Sequence, residues 1–438
     1  MICEREDIDY IIESPIRKSL ESSFIRADNV NSSVPLNTFK KIKRFINSST
    51  LFGDLYKDLY QIKCLVINQR KSYNKKLKIL LYEKPSLIVV INDQRDLILL
   101  NIAKKIGILS VCMGWSVISS VKHYAIYRSR KYESYRIQSL PNHNKHWKLF
   151  IMKLLAPESI LSFNKKLILM LNPIEVISYL INGFKFTMPG KRGSIADLVT
   201  ATSIHEKTLM LKQGVSSSKI HLNGDNCNDA LYNIKKKKNK IRKDLSVRLG
   251  ISVNEITVLV GVPQVAGLNK KALENHKNSM ENVLKTLLGF DPRLKIIAKV
   301  HPKDNIINHY YIKELSDKII IVDRYEIIEL LSLSNLYIAS LSSSIIDSIL
   351  LDVPVITYNL SSTELYDPSY FALFEAEKCT VQVFDEKTLA SKTKDLLFNH
   401  DKRERILQMQ QKRINSFAIN DGKCVDRNMS TIINALKI

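Results

Sequence analysis

Five short apolar runs in the second half of the chain alternate with stretches of helical composition: EITVLVGVP from Glu255, LKIIAKVHP from Leu294, KIIIVD from Lys318, LYIAS from Leu336 and VPVITYN from Val353. Runs of that length, separated by helices, are strands buried on both faces, and they constrain the chain to a doubly wound parallel sheet. A sheet of this kind binds ligands at the carboxyl ends of its strands. Two of those ends stand out. One places His301 and Pro302 directly after a strand; the other places Ser340, Ser342, Ser343 and Ser344 between the strand Leu336 to Ala339 and a helix from Ile345 to Leu351. Free amides at a helix start, the helix dipole and several small hydroxyls together make a phosphate cradle. The plainer alternative is one Ser capping the helix while the others fill a tight turn. No Gly-rich phosphate loop occurs elsewhere in the sequence.

The first half repeats the alternation. LKILLYE and then PSLIVVIN precede a helical segment LILLNIAKKIG and the short strand LSVCMG, and a polar, basic stretch from Ser119 to Trp147 reads as an insertion or a loop. ADLVTATSIHEKTLMLKQGVSSSKIHLNGDN then reads strand, helix, turn, strand, with the helix expected to stop at Gly214, a left-handed cap. The run KKKKNKIRK from Lys235 is too charged for a core element, reads as a solvated linker or a helix start, and marks the boundary. The expected organisation is an acceptor-side Rossmann-like domain over 1–234, a basic linker over 235–254, a nucleotide-binding Rossmann-like domain over 255–400 and carboxy-terminal helices over 401–438.

Composition narrows the partners. The net charge of +23 favours anionic ones: nucleotide-sugars, acidic glycans, anionic lipid surfaces or nucleic acid. Nucleic acid is disfavoured because the Lys run has no interleaved aromatics to stack bases. The six cysteines lack metal-type spacing and read as reduced thiols of a cytoplasmic protein, and the acidic amino terminus has none of the regions of a secretion signal. LILMLNPIEVISYLINGF from Leu167 is too interrupted by Asn172, Pro173 and Glu175 to span a membrane. With Lys165, Lys166, Lys185, Lys191 and Arg192 around it, it reads either as a buried or domain-capping helix or as a segment resting peripherally on an anionic membrane.

Two Rossmann-like domains with a His-Pro strand and a paired-Ser turn in the second resemble the GT-B glycosyltransferases of bacterial surface polysaccharides. These include the sialyltransferases, the Kdo transferases and the CDP-glycerol glycerophosphotransferases. The resemblance implies an α/β GT-B fold, two doubly wound domains facing a cleft, and a metal-independent, inverting glycosyl transfer from a CMP- or UDP-activated sugar to a glycan or glycolipid acceptor, with no cofactor. In the sialyltransferases the two motifs contact the donor nucleotide, which carries that role to His301, Pro302, Ser342 and Ser343. The chain is also similar in outline to the UDP-N-acetylglucosamine 2-epimerases, with Asp93 at an acidic strand end and Gly224 and Asp229 in a matching turn. It has Met113 where those enzymes carry a carboxylate, and epimerisation needs acids and bases at the sugar.

The expected site places base and ribose near Val262, Pro263 and Gln264. His301 and the turn Ser342 to Ser344, with Ser340, hold the phosphate, and Lys303 rather than Lys299 faces it. Both His301 and the turn would strengthen as charge gathers on the departing phosphate. Asp93 is the expected general base, with Asp96 second, the latter reading equally as a helix-start residue. Glu364 contacts the donor ribose or sugar, or else belongs to a surface loop. His205, His221, His276 and His309 read as surface or packing residues, with His276 placed to reach the phosphate. No metal-ligand constellation occurs. A non-catalytic envelope assembly protein that binds polyanions is the remaining alternative.

Overall fold

The computed structural model describes residues 50–93, 95–114, 142–163, 166–188, 191–252, 254–263, 265, 270–340, 342–358 and 379–437. The chain forms two compact units, residues 1–59 and 60–438. Of the first, only the start of helix α1 (Thr50–Glu83) is described, and LKILLYE forms the last turns of that helix. The second unit holds both parallel sheets.

Its first half runs β1 (Leu87–Val90), α2 (Leu97–Ile106) and β2 (Leu109–Cys112), then α3 (Asn142–Leu155), the separate antiparallel hairpin β3 (Ile160–Phe163) and β4 (Lys166–Leu169), α4 (Pro173–Ile181), β5 (Leu198–Ala201), α5 (Ile204–Lys212) and β6 (Ile220–Leu222), with β1, β2, β5 and β6 forming the first sheet. The strands run parallel in the order β1-β2-β5-β6. Local chemistry sets the helix ends. Gly107 at φ 75° stops α2, Asn172 accepts the Ile174 amide at the start of α4, and Ser203 accepts the Glu206 amide at the start of α5. Gly214 takes φ 79° just past α5, and the Val215 amide closes the turn on Met210 O. The apolar stretch from Leu167 divides between β4 and α4, burying Ile168, Leu169, Met170, Leu171, Ile174 and Val176. No helix among the described residues is long and apolar enough to cross a membrane. Of the stretch Ser119 to Trp147, residues through 141 lie outside the described residues, and the remainder opens α3.

Helices α6 (Asn226–Lys236) and α7 (Lys238–Leu249) lead into the second sheet. It comprises β7 (Ile256–Val262), α8 (Lys270–Leu288), β8 (Leu294–Val300), β9 (Ile319–Val322), α9 (Ile327–Leu333), β10 (Leu336–Ala339), α10 (Ser344–Leu350), β11 (Val355–Tyr358) and β12 (Val381–Val383). Helices α11 (Glu386–Phe398), α12 (His400–Ile414) and α13 (Cys424–Leu436) close the chain. The strand order is β12-β11-β10-β7-β8-β9. The chain therefore starts mid-sheet at β7, moves outward through β8 and β9, and returns to the other side of β7 at β10. That reversal creates a switch-point crevice between β7 and β10, where doubly wound sheets bind ligands. Alternation along β7 feeds two cores: Val258, Val260 and Val262 pack with Val283, Leu284 and Leu389, whereas Leu259 packs with Leu331, Ile345 and Ile349.

The basic run from Lys235, read as a solvated linker or a helix start, ends α6 and opens α7, and the segment 235–254 is helical as far as Leu249 apart from the turn at Lys237. Its lysines find specific partners: Lys238 Nζ donates to Leu351 O, at the end of α10, at 2.5 Å, and Lys235 pairs with Asp352 at 2.7 Å. Ile241 and Leu245, one turn apart, pack into the core. Burial pushes the Lys238 amine down to about 8, against the pull of Asp352.

The turn GDNCND after β6 is a joint. Asp229 accepts the Cys424 and Val425 backbone amides at 3.0 and 2.8 Å, which caps α13, and Asn223 Nδ2 donates to Asn428 Oδ1 and Thr431 Oγ1 at 3.0 and 2.8 Å. Gly224 has φ 89°, and a Cβ there would strike Cys424 Sγ, so glycine is required.

Candidate active site

The parallel register sets the ends of three strands level. Ala339 of β10 pairs with Gly261 of β7, and Val262 of β7 pairs with Val300 of β8. Ser340 and His301 thus emerge at the same edge, two strand spacings apart, about 10 Å, with Pro263 between them.

His301 is half-buried, and its Nδ1 accepts the Lys303 amide hydrogen at 3.2 Å. Burial holds the imidazole below its usual value despite the pull of Asp304. A neutral ring with Nδ1 so occupied carries its proton on Nε2 and is a hydrogen-bond donor there. Pro302 and Lys303 are exposed beside it. Lys299 is turned away: its Nζ donates to Asp323 O at 2.5 Å.

The Ser turn divides its labour. Tyr337 OH and Ser344 Oγ lie 2.6 Å apart, Ser344 Oγ and Ser342 Oγ are also 2.6 Å apart, and Ser342 Oγ accepts the Ser344 amide at 3.3 Å. Ser344, expected to hold the donor, is buried and spends its hydroxyl inside the turn. Gly261 makes this arrangement possible, because a Cβ there would come within 2.7 Å of Tyr337 OH. What the turn offers a ligand is the exposed Ser343 and the buried Ser340, whose Oγ has no hydrogen-bond partner. Helix α10 is only seven residues long, so its dipole adds little to what these hydroxyls and His301 could offer an anion.

Asp93 does not face solvent as expected. It is 1% exposed, and Oδ2 accepts the Ile195 amide at 3.1 Å, tying the β1 turn to the segment before β5. The Cys112 thiol beneath it is pushed up by burial and then by the Asp93 carboxylate. An acid so enclosed is unsuited to take a proton from an acceptor hydroxyl, and the structure supplies no support for that role. Asp96 is the N-cap residue of α2 and lies near Lys76. His276 lies near His309 and Asp304, behind the turn that carries His301. Gln264 and Glu364 lie outside the described residues.

One acid is not apparent from the sequence pattern. Asp347 sits in the first turn of α10, where that helix packs on α6. Burial, then the nearby Asp225 at the start of α6, pushes its carboxyl up to about 7. The signal available in sequence was an acid three residues past the Ser run. Among the described residues, Asp229, Asp421 and Cys424 bring metal-type ligand atoms within 4.8 Å of one another, but Asp229 caps α13 and Asp421 pairs with Arg427 at 2.7 Å.

No curated protein sequence matches the chain. A UDP-GlcNAc 2-epimerase from Neisseria meningitidis, solved with UDP-GlcNAc, superposes with a TM-score of 0.50 at 13% identity, over 84% of this chain and 81% of that one. The enzyme from Methanocaldococcus jannaschii gives 0.48 at 16%, over 83% and 82%. The wall teichoic acid polymerase TagF, soaked with CDPG, gives 0.42 at 16%, over 56% and 57%. At such identities the Neisseria likeness establishes the fold, GT-B, and nothing of the chemistry. A family model matches residues 190–434, more than half the chain, from the end of the first sheet through both His301 and the Ser turn. The chain belongs to the CDP-glycerol:poly(glycerophosphate) glycerophosphotransferase family.

Proposed function

We propose that the chain transfers a unit from a nucleotide-activated donor to a cell-surface polymer, and that the donor is a cytidine diphosphate-activated polyol rather than a nucleotide sugar. The observation that carries this reading is His301 and the Ser turn flanking the switch-point crevice inside the span that the family model matches. In such a transfer an acceptor hydroxyl forms a bond to the distal phosphorus, the bridging P–O bond breaks, and the acceptor proton passes to a base. CMP leaves with the negative charge. His301 Nε2–H and the Ser340 and Ser343 hydroxyls would meet that charge, and their hydrogen bonds strengthen as it develops.

A thermal-shift panel of CMP, CDP, UDP, GDP and inorganic polyphosphate, run on the wild type and His301→Ala, tests this. CMP and CDP are expected to raise Tm by a few degrees at about 100-fold excess over Kd, with the effect lost in the variant. Stabilisation by UDP alone would favour the nucleotide-sugar or epimerase reading. Equal, salt-sensitive shifts with every anion would leave a polyanion binder.

Peripheral membrane contact completes the proposal. On α3, Phe150 and Leu154 are 65% and 68% exposed one turn apart beside the exposed Lys153, and α4 exposes Leu180 and Ile181. The protein is expected to float with phosphatidylglycerol vesicles, and a Phe150→Ser, Leu154→Ser double variant to stay behind. Equal flotation of the two proteins would sink the idea.

A further inference from the structure

The turn that carries His301 is fastened from within. Asp304, three residues on, has a fully buried side chain, and its Oδ2 accepts the Val265 amide hydrogen at 2.7 Å. Its own amide donates to His301 O at 2.9 Å. One carboxylate thus joins the turn after β8 to the turn after β7, on neighbouring strands. Two imidazoles back it. His309, fully buried in the 3-10 helix Ile306–Leu315, sets Nε2 3.5 Å from Asp304 Oδ2, and His276 on α8 buries an Nε2 with no hydrogen-bond partner. Burial holds both rings below their usual values, His276 at about 4 with His309 adding to the fall, while Asp304 pulls the other way on each. Tyr311 lies 6.3 Å from His309 between ring centroids, with Lys277 Nζ over its ring at 4.9 Å. Burial favours the neutral form of both rings, and Asp304 Oδ2 accepts from the Val265 N–H.

We propose that Asp304 is a positioning residue for the donor site, a latch that sets the β7 turn with Pro263 against the β8 turn with His301. The two turns follow neighbouring strands at the edge proposed for the donor, and the inference rests on the nucleotide-donor reading above. A hydrogen bond to a charged acceptor held in a buried site is the strong kind, and a ligand that needs both turns in register registers its loss.

The test uses the full chain as wild type, Asp304→Ala and Asp304→Asn. Asparagine keeps a carbonyl oxygen to accept the Val265 N–H and controls for folding, and alanine keeps none. Hydrogen–deuterium exchange of the Val265 amide is read without nucleotide, and CDP affinity by calorimetry. In Asp304→Ala, Val265 exchange is expected to speed by about tenfold or more and CDP affinity to fall by about tenfold, while amides within β7 and β8 keep their protection. In Asp304→Asn both quantities are expected to fall between those of Asp304→Ala and wild type, because a neutral acceptor is weaker than a charged one. Unchanged Val265 exchange in Asp304→Ala overturns the latch. Lost protection with undiminished CDP affinity overturns the role toward the donor. A wild type that binds none of CMP, CDP or UDP, with the exchange pattern as expected, removes the donor reading and leaves the latch as a loop anchor only.

Discussion

Replacing His301 with alanine is expected to slow transfer by about 10² to 10³-fold, the effect of removing one well-placed donor to a developing anion. The expectation follows from its tautomer. With Nδ1 accepting the Lys303 amide, the neutral ring has one donor, Nε2–H, directed away from its own turn. Burial lowers the affinity of the ring for a second proton, and the Nε2–H is present in either protonation state, so this donor persists at neutral pH. Because the bond strengthens as charge gathers on the leaving phosphate, kcat should fall further than nucleotide affinity. His301→Gln, which retains an amide donor, should lose less. Steady-state transfer from a CDP-activated donor, with donor and acceptor varied separately, measures the split. A variant within threefold of wild-type kcat would remove His301 from the chemistry.

Much of this site was legible because strand ends are punctuated in sequence. A His-Pro pair or a Ser run directly after four to seven apolar residues leaves little choice of location, and the five strands of the second half all formed. What failed to show depended on contacts between distant residues. Ser342 and Ser344 look equivalent, yet the Ser344 hydroxyl is spent on Tyr337, seven residues back, in space left by a glycine on the neighbouring strand. Asp93 reads as a strand-end acid open to the cleft, but the amide that captures it belongs to Ile195, and nothing local announces that pairing. In the basic run, charge density masked the one-turn spacing of Ile241 and Leu245, and the partner that makes Lys238 tolerable in a packed setting is a carbonyl more than a hundred residues on. Asp304 and its histidines were present as scattered polar residues; only the return of the 3-10 helix beneath the His301 turn gathers them.

Asp347→Asn is expected to stabilise the protein at pH 8 by about 2 to 4 kcal/mol and to help much less at pH 5. The sign follows from the direction of the shift. Burial, and then Asp225, lift the folded-state pKa of Asp347 to about 7, above the value an unfolded chain gives an aspartate. Between the two values the native state holds a proton that the unfolded chain has released, so stability falls as pH rises through that window and stays low above it. Asparagine does not ionise and escapes the loss. Asp225→Asn, which can still accept the Cys227 amide that Asp225 now accepts at 3.0 Å, should recover part of the gain by removing the like charge. Urea unfolding of the three proteins at pH 5 and pH 8 measures this, and equal gains at the two pH values would refute it. An acid that costs the fold this much at the meeting of α6 and α10, one turn from the Ser run, is expected to be retained for activity. The substitution that stabilises the fold should therefore also depress transfer, and a variant both more stable and fully active would show that Asp347 serves the packing of the two helices alone.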